Sequence, residues 1–213
     1  MTPTETRKDL LVLAADLSMR VAVEEVLKRH HSLGIHEISY KVVQQPTHDS
    51  GVLQSGHKLL ESQNKNYRHA LEICDRHGCG KEALPREELE TLIENQLSNH
   101  WADRAAAIVI DPELENWVWT DSPHVAQVIG WPGGMPALRT WLQNEGLLIR
   151  GCAKPTDPKA AFQKALRWTR KPSSSSLFQT IASKVSLQAC TDPAFLKLRA
   201  TLQRWFPAAG TWS

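Results

Sequence analysis

Apolar runs without polar alternation recur along the chain and predict buried strands. They cover residues 9–15 (DLLVLAA), 68–74 (RHALEIC) and 104–110 (RAAAIVI). Such runs are typical of parallel strands that are covered by helices on both faces. Residues 35–44 (IHEISYKVVQ) alternate and contain several β-branched side chains, so they predict a further strand.

Helical patterns lie between these runs. Ser18 is a candidate N-cap and Gly34 a candidate C-terminal stop for the first helix. The polar stretch 45–56 predicts a loop. The helices are predicted over Met19 to about His31, His57 to about Asn66, and residues 85–99. Strands separated by helices of this length predict parallel βαβ units.

The region beyond residue 130 changes to helical patterns. Helices are predicted over residues 136–144, 155–170, 177–185 and 193–205. The serine run after Pro172 is too short for a flexible linker between independent domains. The sequence therefore predicts one domain, with an α/β core over about 8–130 and a helical, basic C-terminal extension over about 131–213.

Composition places the chain among ordinary globular proteins. It has 213 residues, of which 41% are hydrophobic and 23% charged. No stretch approaches the roughly 18 apolar residues of a transmembrane helix. The short apolar run near the N-terminus ends at Asp16 and does not resemble a signal peptide. The four cysteines are scattered, which favours reduced thiols. We therefore expect a cytoplasmic protein without a membrane partner.

The net charge of +2 conceals two regions of opposite sign. Residues 1–149 contain 14 Lys and Arg against 21 Asp and Glu, whereas residues 150–213 contain 11 against 2. A basic region of this kind is typical of a surface that meets phosphate or an acidic partner. The alternative is that the two regions attract each other within one fold.

Acidic residues follow three of the predicted strands. Asp16 follows the first, Asp75 the strand 68–74, and Asp111, Glu113 and Glu115 follow the strand 104–110. Because the carboxyl ends of parallel strands meet at one edge of the sheet, these carboxylates are expected to converge there. Mg²⁺ and Mn²⁺ prefer such oxygen ligands and can activate water or position a phosphodiester. The alternative is that the acids only cap the helices that follow.

Three stretches resemble the TOPRIM fold. They are LLVLAADLSMRVAVEEVL, HALEICDRHGCG and AAAIVIDPELENWVWTDSPHV. The tail SLFQTIASKVSLQACTDPAFLKLRATL looks like the closing helices of small TOPRIM-like proteins of bacterial phage-defence loci, in particular of methylation-associated defence systems. The resemblance covers most of the chain. It implies a TOPRIM-like parallel sheet, a nuclease or phosphoryl-transfer activity dependent on Mg²⁺ or Mn²⁺, and other defence-system proteins as partners.

Carried onto this chain, the TOPRIM pattern implies Asp16, Asp75, Glu113 and Glu115 as catalytic residues, and Asp16, Asp75, His77 and Glu113 as metal ligands. The chain departs from the pattern at two positions. Asp16 stands where TOPRIM proteins use a glutamate. His77 stands where the second aspartate of a D-x-D motif is expected, and imidazole suits Mn²⁺ better than Mg²⁺. Glu113 and Glu115 are candidates for the missing carboxylate.

Other sites are weaker candidates. Cys74, His77 and Cys79 do not have the spacing of a structural zinc site, and Cys74 is interpreted as a core thiol. His48 and Asp49 are either a proton-transfer pair or solvated loop residues. Neither a Walker A sequence nor a G-x-G-x-x-G motif follows the first strand, which argues against a P-loop NTPase or a Rossmann dehydrogenase.

Aromatic and basic residues point to contact surfaces. Trp117 is predicted to fill the core, and Trp119 and Trp212 are candidate contact residues for a partner or a base. Basic residues of the C-terminal region are candidates for binding DNA or RNA backbone, with a solvated basic face as the alternative. They are Lys154, Lys159, Lys164, Arg167, Arg170 and Lys171.

Three functions follow from these observations. The first is a metal-dependent nuclease or phosphoryl-transfer component of an anti-phage defence system. The second is a TOPRIM-derived interaction subunit without catalytic activity. The third is a sensor that binds nucleotides or nucleic acid without cleaving them.

Overall fold

A four-stranded parallel sheet forms the centre of the molecule. The computed structural model describes residues 7–208. Its strands are β1 (Lys8–Ala14), β2 (Tyr40–Gln44), β3 (Tyr67–Asp75) and β4 (Ala105–Ile110). Their order across the sheet is β2-β1-β3-β4, and all neighbours are parallel. The α/β class and the parallel sheet predicted from the apolar runs are confirmed.

Helices connect the strands and form the C-terminal region. A 3₁₀ turn, Ala102–Arg104, precedes β4. The helices are α1 (Leu17–Lys28), α2 (His30–Leu33), α3 (His48–Glu61), α4 (Arg86–Trp101), α5 (Glu115–Val118), α6 (Pro123–Ile129), α7 (Gly134–Asn144), α8 (Pro158–Trp168), α9 (Ser175–Lys184) and α10 (Pro193–Trp205). No helix of residues 7–208 combines the length and the apolar character that crossing a bilayer requires.

Helices cover both faces of the sheet. The carboxyl group of Glu72 on β3 faces Gly56 of α3, whereas His69 on the same strand stacks on Trp205 of α10 at 4.4 Å between ring centroids. Side chains three positions apart on a strand point to opposite faces, so α3 and α10 lie on opposite sides of the sheet. This double cover explains why the central strands are continuous apolar runs.

The C-terminal helices share the core of the sheet. One cluster of buried side chains extends from Leu10 of β1 to Phe206 just beyond α10, and it includes Phe162 of α8 and Phe178 of α9. Helix α9 packs along α1. The region beyond residue 130 is therefore part of one packed unit with the sheet.

Ion pairs join the acidic and the basic regions of the chain. Lys197 of α10 contacts Glu90 and Glu94 of α4 at 3.2 and 2.7 Å. Lys164 of α8 contacts Glu145 at 2.5 Å. These pairs show that the opposite charges of the two regions meet, at least in part, within the fold.

The loop predicted over the polar stretch 45–56 is wrong, because α3 already begins at His48. Glycine and serine have low helix propensity, and they are frequent in the first turns of this helix. A Cβ atom at Gly56 would lie 2.7 Å from the Glu72 carboxyl oxygens. The small residue thus lets α3 approach the sheet closely, so that tertiary packing overrides the local propensity.

Other boundaries also differ from the prediction. The first helix begins earlier than predicted, and its N-cap is Asp16 and not Ser18. The second strand starts only at Tyr40, because Ile35 forms an antiparallel bridge with Pro207 instead. Helix α6 was not predicted. Its seven residues are too few to show a helical period, although Ser122 caps it and Pro123 occupies its first turn.

Candidate metal site

The acidic residues lie at the point where the strand order reverses. The chain passes from β1 to β2 in one direction and returns across β1 to β3, so the connections that leave β1 and β3 diverge. A crevice forms at such a switch point, outside the carboxyl ends of the strands. Asp16 follows β1 and Asp75 ends β3, one on each side of this crevice.

Three carboxylates meet closely at this edge. Ligand atoms of Asp75, Glu113 and Glu115 all lie within 4.8 Å of one another. Their residues are only 8%, 5% and 9% exposed. The position of the three acids after neighbouring strands predicts that they converge, and the structure brings them together. Such a group of oxygen ligands can bind a metal ion.

Asp75 is the most strongly perturbed member of this cluster. Burial raises the pKa of its carboxyl group well above the usual range, and the charges of Asp49, Glu115, Asp16 and Glu113 raise it further. Its Oδ1 is buried and has no hydrogen-bond partner among residues 7–208. Burial also raises the pKa of Glu115. A buried carboxylate without a partner needs either a proton or a cation to neutralise it.

Lys159 supplies a positive charge on one side of the cluster. It lies in the first turn of α8, and its Nζ donates to Glu113 Oε2 at 2.8 Å. Burial opposes its charged form, but the Glu113 hydrogen bond and the nearby carboxylates raise the pKa of Lys159. The sequence predicts Lys159 as a contact to nucleic acid, and the structure places it beside the carboxylates.

Asp49 is a further acid at the site that the sequence patterns did not reveal. It lies in the first turn of α3, and its Oδ1 accepts a hydrogen bond from the Asp75 backbone N–H at 2.8 Å. Burial raises the pKa of Asp49. Because the pattern of this stretch predicts a loop, it suggests His48 and Asp49 only as a proton-transfer pair or as solvated loop residues, separate from the other acids. The signal that points to Asp49 is its place shortly after β2, a strand of the same parallel sheet.

Asp16 lies near the cluster but does not belong to it. Its Oδ1 accepts from the Met19 backbone N–H at 2.8 Å and caps α1. Its charge still contributes to the raised pKa values of Asp75 and Glu115. The capping role, which the sequence left open as the alternative for these acids, therefore holds for Asp16.

Asp111 and His77, which follow β4 and β3, do not belong to the carboxylate cluster. The Asp111 carboxylate accepts from Arg76 Nε at 2.8 Å. His77, predicted as a metal ligand, is exposed and is not part of the carboxylate cluster. It lines the wall of the cleft, where its backbone N–H donates to the Pro112 carbonyl at 3.0 Å. The turn of residues 76–82 is held by Glu82, whose Oε1 accepts from two backbone N–H groups.

An open cleft leads to the carboxylates. It has a volume of about 530 Å³. Its walls contain acidic, basic and neutral polar groups. The lining residues are Asp49, His77, Gly78, Glu113, Asp157, Lys159, Ala160 and Gln163. Of the three clustered carboxylates, Glu113 lines this cleft, so a solvent-borne substrate can reach the cluster from the Glu113 side.

Four of the six basic residues predicted to bind nucleic acid have partners inside the molecule. Lys154 contacts Asp192 at 3.2 Å, and Lys171 donates to the Val128 carbonyl. Lys159 and Lys164 form the ion pairs described above. The side chains of Arg167 and Arg170 are exposed and form no hydrogen bond or ion pair with the rest of residues 7–208.

The cysteines and tryptophans are mostly structural. Cys74 and Cys79 are buried, and the zinc alternative has no ligand cluster within residues 7–208. Trp117 packs on the core as predicted. Trp119 is only 4% exposed, and its Nε1 donates to the Pro158 carbonyl at 2.9 Å. Its prediction as a contact residue is therefore wrong, and Trp212 lies outside the described residues.

Comparisons of the chain with protein families, with curated proteins and with solved structures give no match.

Proposed function

We propose that this protein is a divalent-metal-dependent phosphoryl-transfer enzyme of the nuclease class. The observation that carries the proposal is the Asp75 carboxyl group, which is buried and unpartnered beside Glu113 and Glu115. Mutual repulsion of these groups destabilises the fold unless a cation or protons neutralise them. A bound divalent cation, together with the Lys159 ammonium beside Glu113, balances the charge of the three carboxylates. The all-oxygen donor set suits Mg²⁺ or Mn²⁺.

The roles of the residues follow from their positions. Asp75, Glu113 and Glu115 would hold the cation, and Asp49 orients Asp75 through its backbone N–H. A cation in this place supplies Lewis-acid polarisation of a phosphate oxygen and a water of lowered pKa. Lys159 holds Glu113 in place and offers positive charge to a phosphate that enters through the cleft.

The biological setting is part of the same proposal. The stretches HALEICDRHGCG and AAAIVIDPELENWVWTDSPHV resemble TOPRIM-like proteins of phage-defence loci. We infer a component of a bacterial anti-phage defence system that acts with other proteins of its locus. The four-stranded parallel sheet is compatible with that inference.

A second candidate function is phosphate recognition without cleavage. It is favoured by Asp16, which stands at the position of the TOPRIM general acid or base but is engaged as the cap of α1. If Asp16 serves only the helix, the site lacks its proton-transfer group. The protein would then be a sensor of nucleotides or nucleic acid, or an interaction subunit.

Metal binding is tested by titrating the protein with Mn²⁺ and following both the heat of binding and the thermal midpoint. We expect Mn²⁺ to raise the midpoint, because a ligand that binds only the native state stabilises it. Asp75→Asn should weaken Mn²⁺ binding by at least about tenfold. Asp111→Asn is the matched control, since Asp111 lies at the same sheet edge but contacts Arg76.

Catalysis is tested separately with plasmid, oligonucleotides and nucleotides in the presence of Mg²⁺ or Mn²⁺. Cleavage that chelator removes and that Asp75→Asn abolishes supports the enzyme. Metal binding with phosphate binding but without cleavage supports the sensor. Equal Mn²⁺ affinity of the wild type and Asp75→Asn would refute the metal site itself.

A further inference from the structure

Trp168 is an exposed aromatic side chain with a rigid support. It ends α8 and is 52% exposed. Its ring lies 4.3 Å from that of Trp131, with an angle of 31° between the planes. Trp131 is only 7% exposed and in turn packs on Trp141 at 4.7 Å. The Trp168 indole therefore packs on the buried Trp131 on one side, and the rest of the Trp168 ring is exposed.

Unpaired positive charge adjoins this ring. Arg167 precedes Trp168, and Arg170 follows two residues later. Both side chains are exposed, and neither forms an ion pair or a hydrogen bond within residues 7–208. The nearest lysine along the helix face, Lys164, is occupied by Glu145. Lys171, which follows Arg170, donates to the Val128 carbonyl. Arg167 and Arg170 are thus the cations next to Trp168 in the chain that have no side-chain partner within residues 7–208.

Helix α8 connects the aromatic ring with the candidate metal site. Lys159, Gln163 and Arg167 are four residues apart and lie in one row along the helix. Lys159 contacts Glu113 of the carboxylate cluster, and Gln163 lines the cleft. At 1.5 Å per residue, Lys159 and Arg167 are separated by about 12 Å along the axis. This is the length of roughly three or four stacked nucleotides at about 3.4 Å each.

We propose that single-stranded nucleic acid binds along α8, with a base stacked on Trp168 and backbone phosphates beside Arg167 and Arg170. An aromatic platform with adjacent cations is the arrangement that binds unpaired bases and their phosphates. Paired bases in a duplex do not expose a face for such stacking. The row of Lys159 and Gln163 then leads the strand into the cleft. This placement of a substrate rests on the proposed function, whereas binding at Trp168 does not.

Acidic groups near the row of Lys159, Gln163 and Arg167 restrict where phosphate can bind. Asp157 caps α8 and lines the cleft, and Glu145 pairs with Lys164. The carboxylate cluster at the N-terminal end of the row repels phosphate unless it is neutralised. Without metal, the affinity for single-stranded nucleic acid therefore comes from the Trp168 end of the row. Binding can thus be measured separately from cleavage.

Binding is measured by fluorescence anisotropy with labelled oligomers of about 12 nucleotides, in EDTA. The probes are single-stranded deoxythymidine and uridine oligomers and a DNA duplex of equal length. We expect both single strands to bind more tightly than the duplex. Trp168→Ala should weaken binding at least about tenfold, and Trp168→Phe should retain most of it, because a ring still stacks. A preference between the two strands identifies DNA or RNA as the ligand.

The arginines are tested through the salt dependence of binding. Arg167→Ala with Arg170→Ala should reduce the slope of log affinity against log salt by about 0.7 for each phosphate that the variant no longer neutralises. Lys58→Ala is the matched control, since Lys58 is exposed near the end of α3 that lies away from the cleft residue Asp49. Binding that Trp168→Ala leaves unchanged, or a preference for the duplex, overturns the proposal. Because EDTA excludes catalysis, a failure of the metal site does not alter this result.

Discussion

Glu72 is a glutamate in the middle of a parallel sheet, and its carboxyl group is fully buried. It is 0% exposed, and both carboxyl oxygens lack a hydrogen-bond partner among residues 7–208. Gly56 of α3 is the residue that leaves room for them. Burial raises the pKa of Glu72 well above its usual range. The native fold therefore favours the neutral carboxyl group, which needs no counter-ion.

Substituting Glu72→Gln should make stability less dependent on pH. The neutral group stabilises the fold fully below about pH 4.3, the pKa of glutamate in an unfolded chain. This contribution is lost as the pH rises toward the raised folded-state pKa of Glu72. The unfolding free energy of the variant, relative to the wild type, should therefore rise between about pH 5 and 8 by up to about 1.4 kcal/mol per pH unit.

Urea denaturation at several pH values measures this difference. The exposed Glu37 offers the control substitution Glu37→Gln, which should leave the difference between variant and wild type constant. A constant difference for Glu72→Gln as well would show that the Glu72 carboxyl group is already ionised in the fold.

The aspartates that cap α8 and α10 have very different surroundings. Asp157 caps α8 at the surface, where its Oδ1 accepts from the Ala160 backbone N–H at 2.8 Å. Asp192 caps α10 and is only 3% exposed. Its carboxylate accepts hydrogen bonds from Ala194, Phe195, Asn116, Trp117 and Lys154. Asp192 thereby ties α10 to the segment after β4 that carries Glu113 and Glu115.

Removing the two caps should have unequal effects. Asp157→Ala should lower the unfolding free energy by about 1 kcal/mol, as for a surface N-cap. Asp192→Ala should lower it by about 3 kcal/mol or more, because it leaves Lys154 and several buried donors without a partner. Chemical denaturation of both variants at neutral pH compares them. Equal losses would mean that the buried network adds nothing beyond the helix cap.

Residues 7–208 share one core, although the acidic and the basic regions differ in charge and in secondary structure. Phe178 of α9 packs against the side of the fold that contains α1, and Lys197 joins α10 to α4. Burial of α1 by α9 means that the sheet alone would expose an apolar helix face to water. The two regions should therefore fold together.

Unfolding of the full chain should occur in one transition. Trp101 reports on α4 and Trp205 on α10, so tryptophan fluorescence samples both regions, while far-ultraviolet circular dichroism follows the helices. The two signals should have the same midpoint in urea. Phe178→Ala should lower both midpoints together, with a loss of about 3 kcal/mol. Two separated transitions would instead indicate independent domains.

Much of the architecture could be predicted from local patterns. The strands at 67–75 and 105–110 differ from their predicted ranges by no more than one residue at either end. Helix α10 matches its predicted range. The first part of helix α3, before the predicted helix start at His57, could not be predicted in this way. Its glycines are unfavourable in an isolated helix, and their reason becomes visible only where Gly56 meets Glu72 of the sheet.

The sequence alone established the class of the fold and the neighbourhood of the site. Strands covered on both faces must be apolar along their whole length, so β1, β3 and β4 could be read from the order of residues. Polar residues that end such strands must lie at one sheet edge, which is why Asp75, Glu113 and Glu115 could be expected together.

Which of the acids meet was determined by packing between distant parts of the chain. Asp111 accepts a hydrogen bond from Arg76, and Asp16 caps α1. Asp49 lies beside the cluster because it accepts a hydrogen bond from the Asp75 backbone N–H. These choices depend on strand order, on helix position and on the partners available to each carboxylate. A local sequence pattern contains none of this information, because the partners are brought near one another only when the core forms.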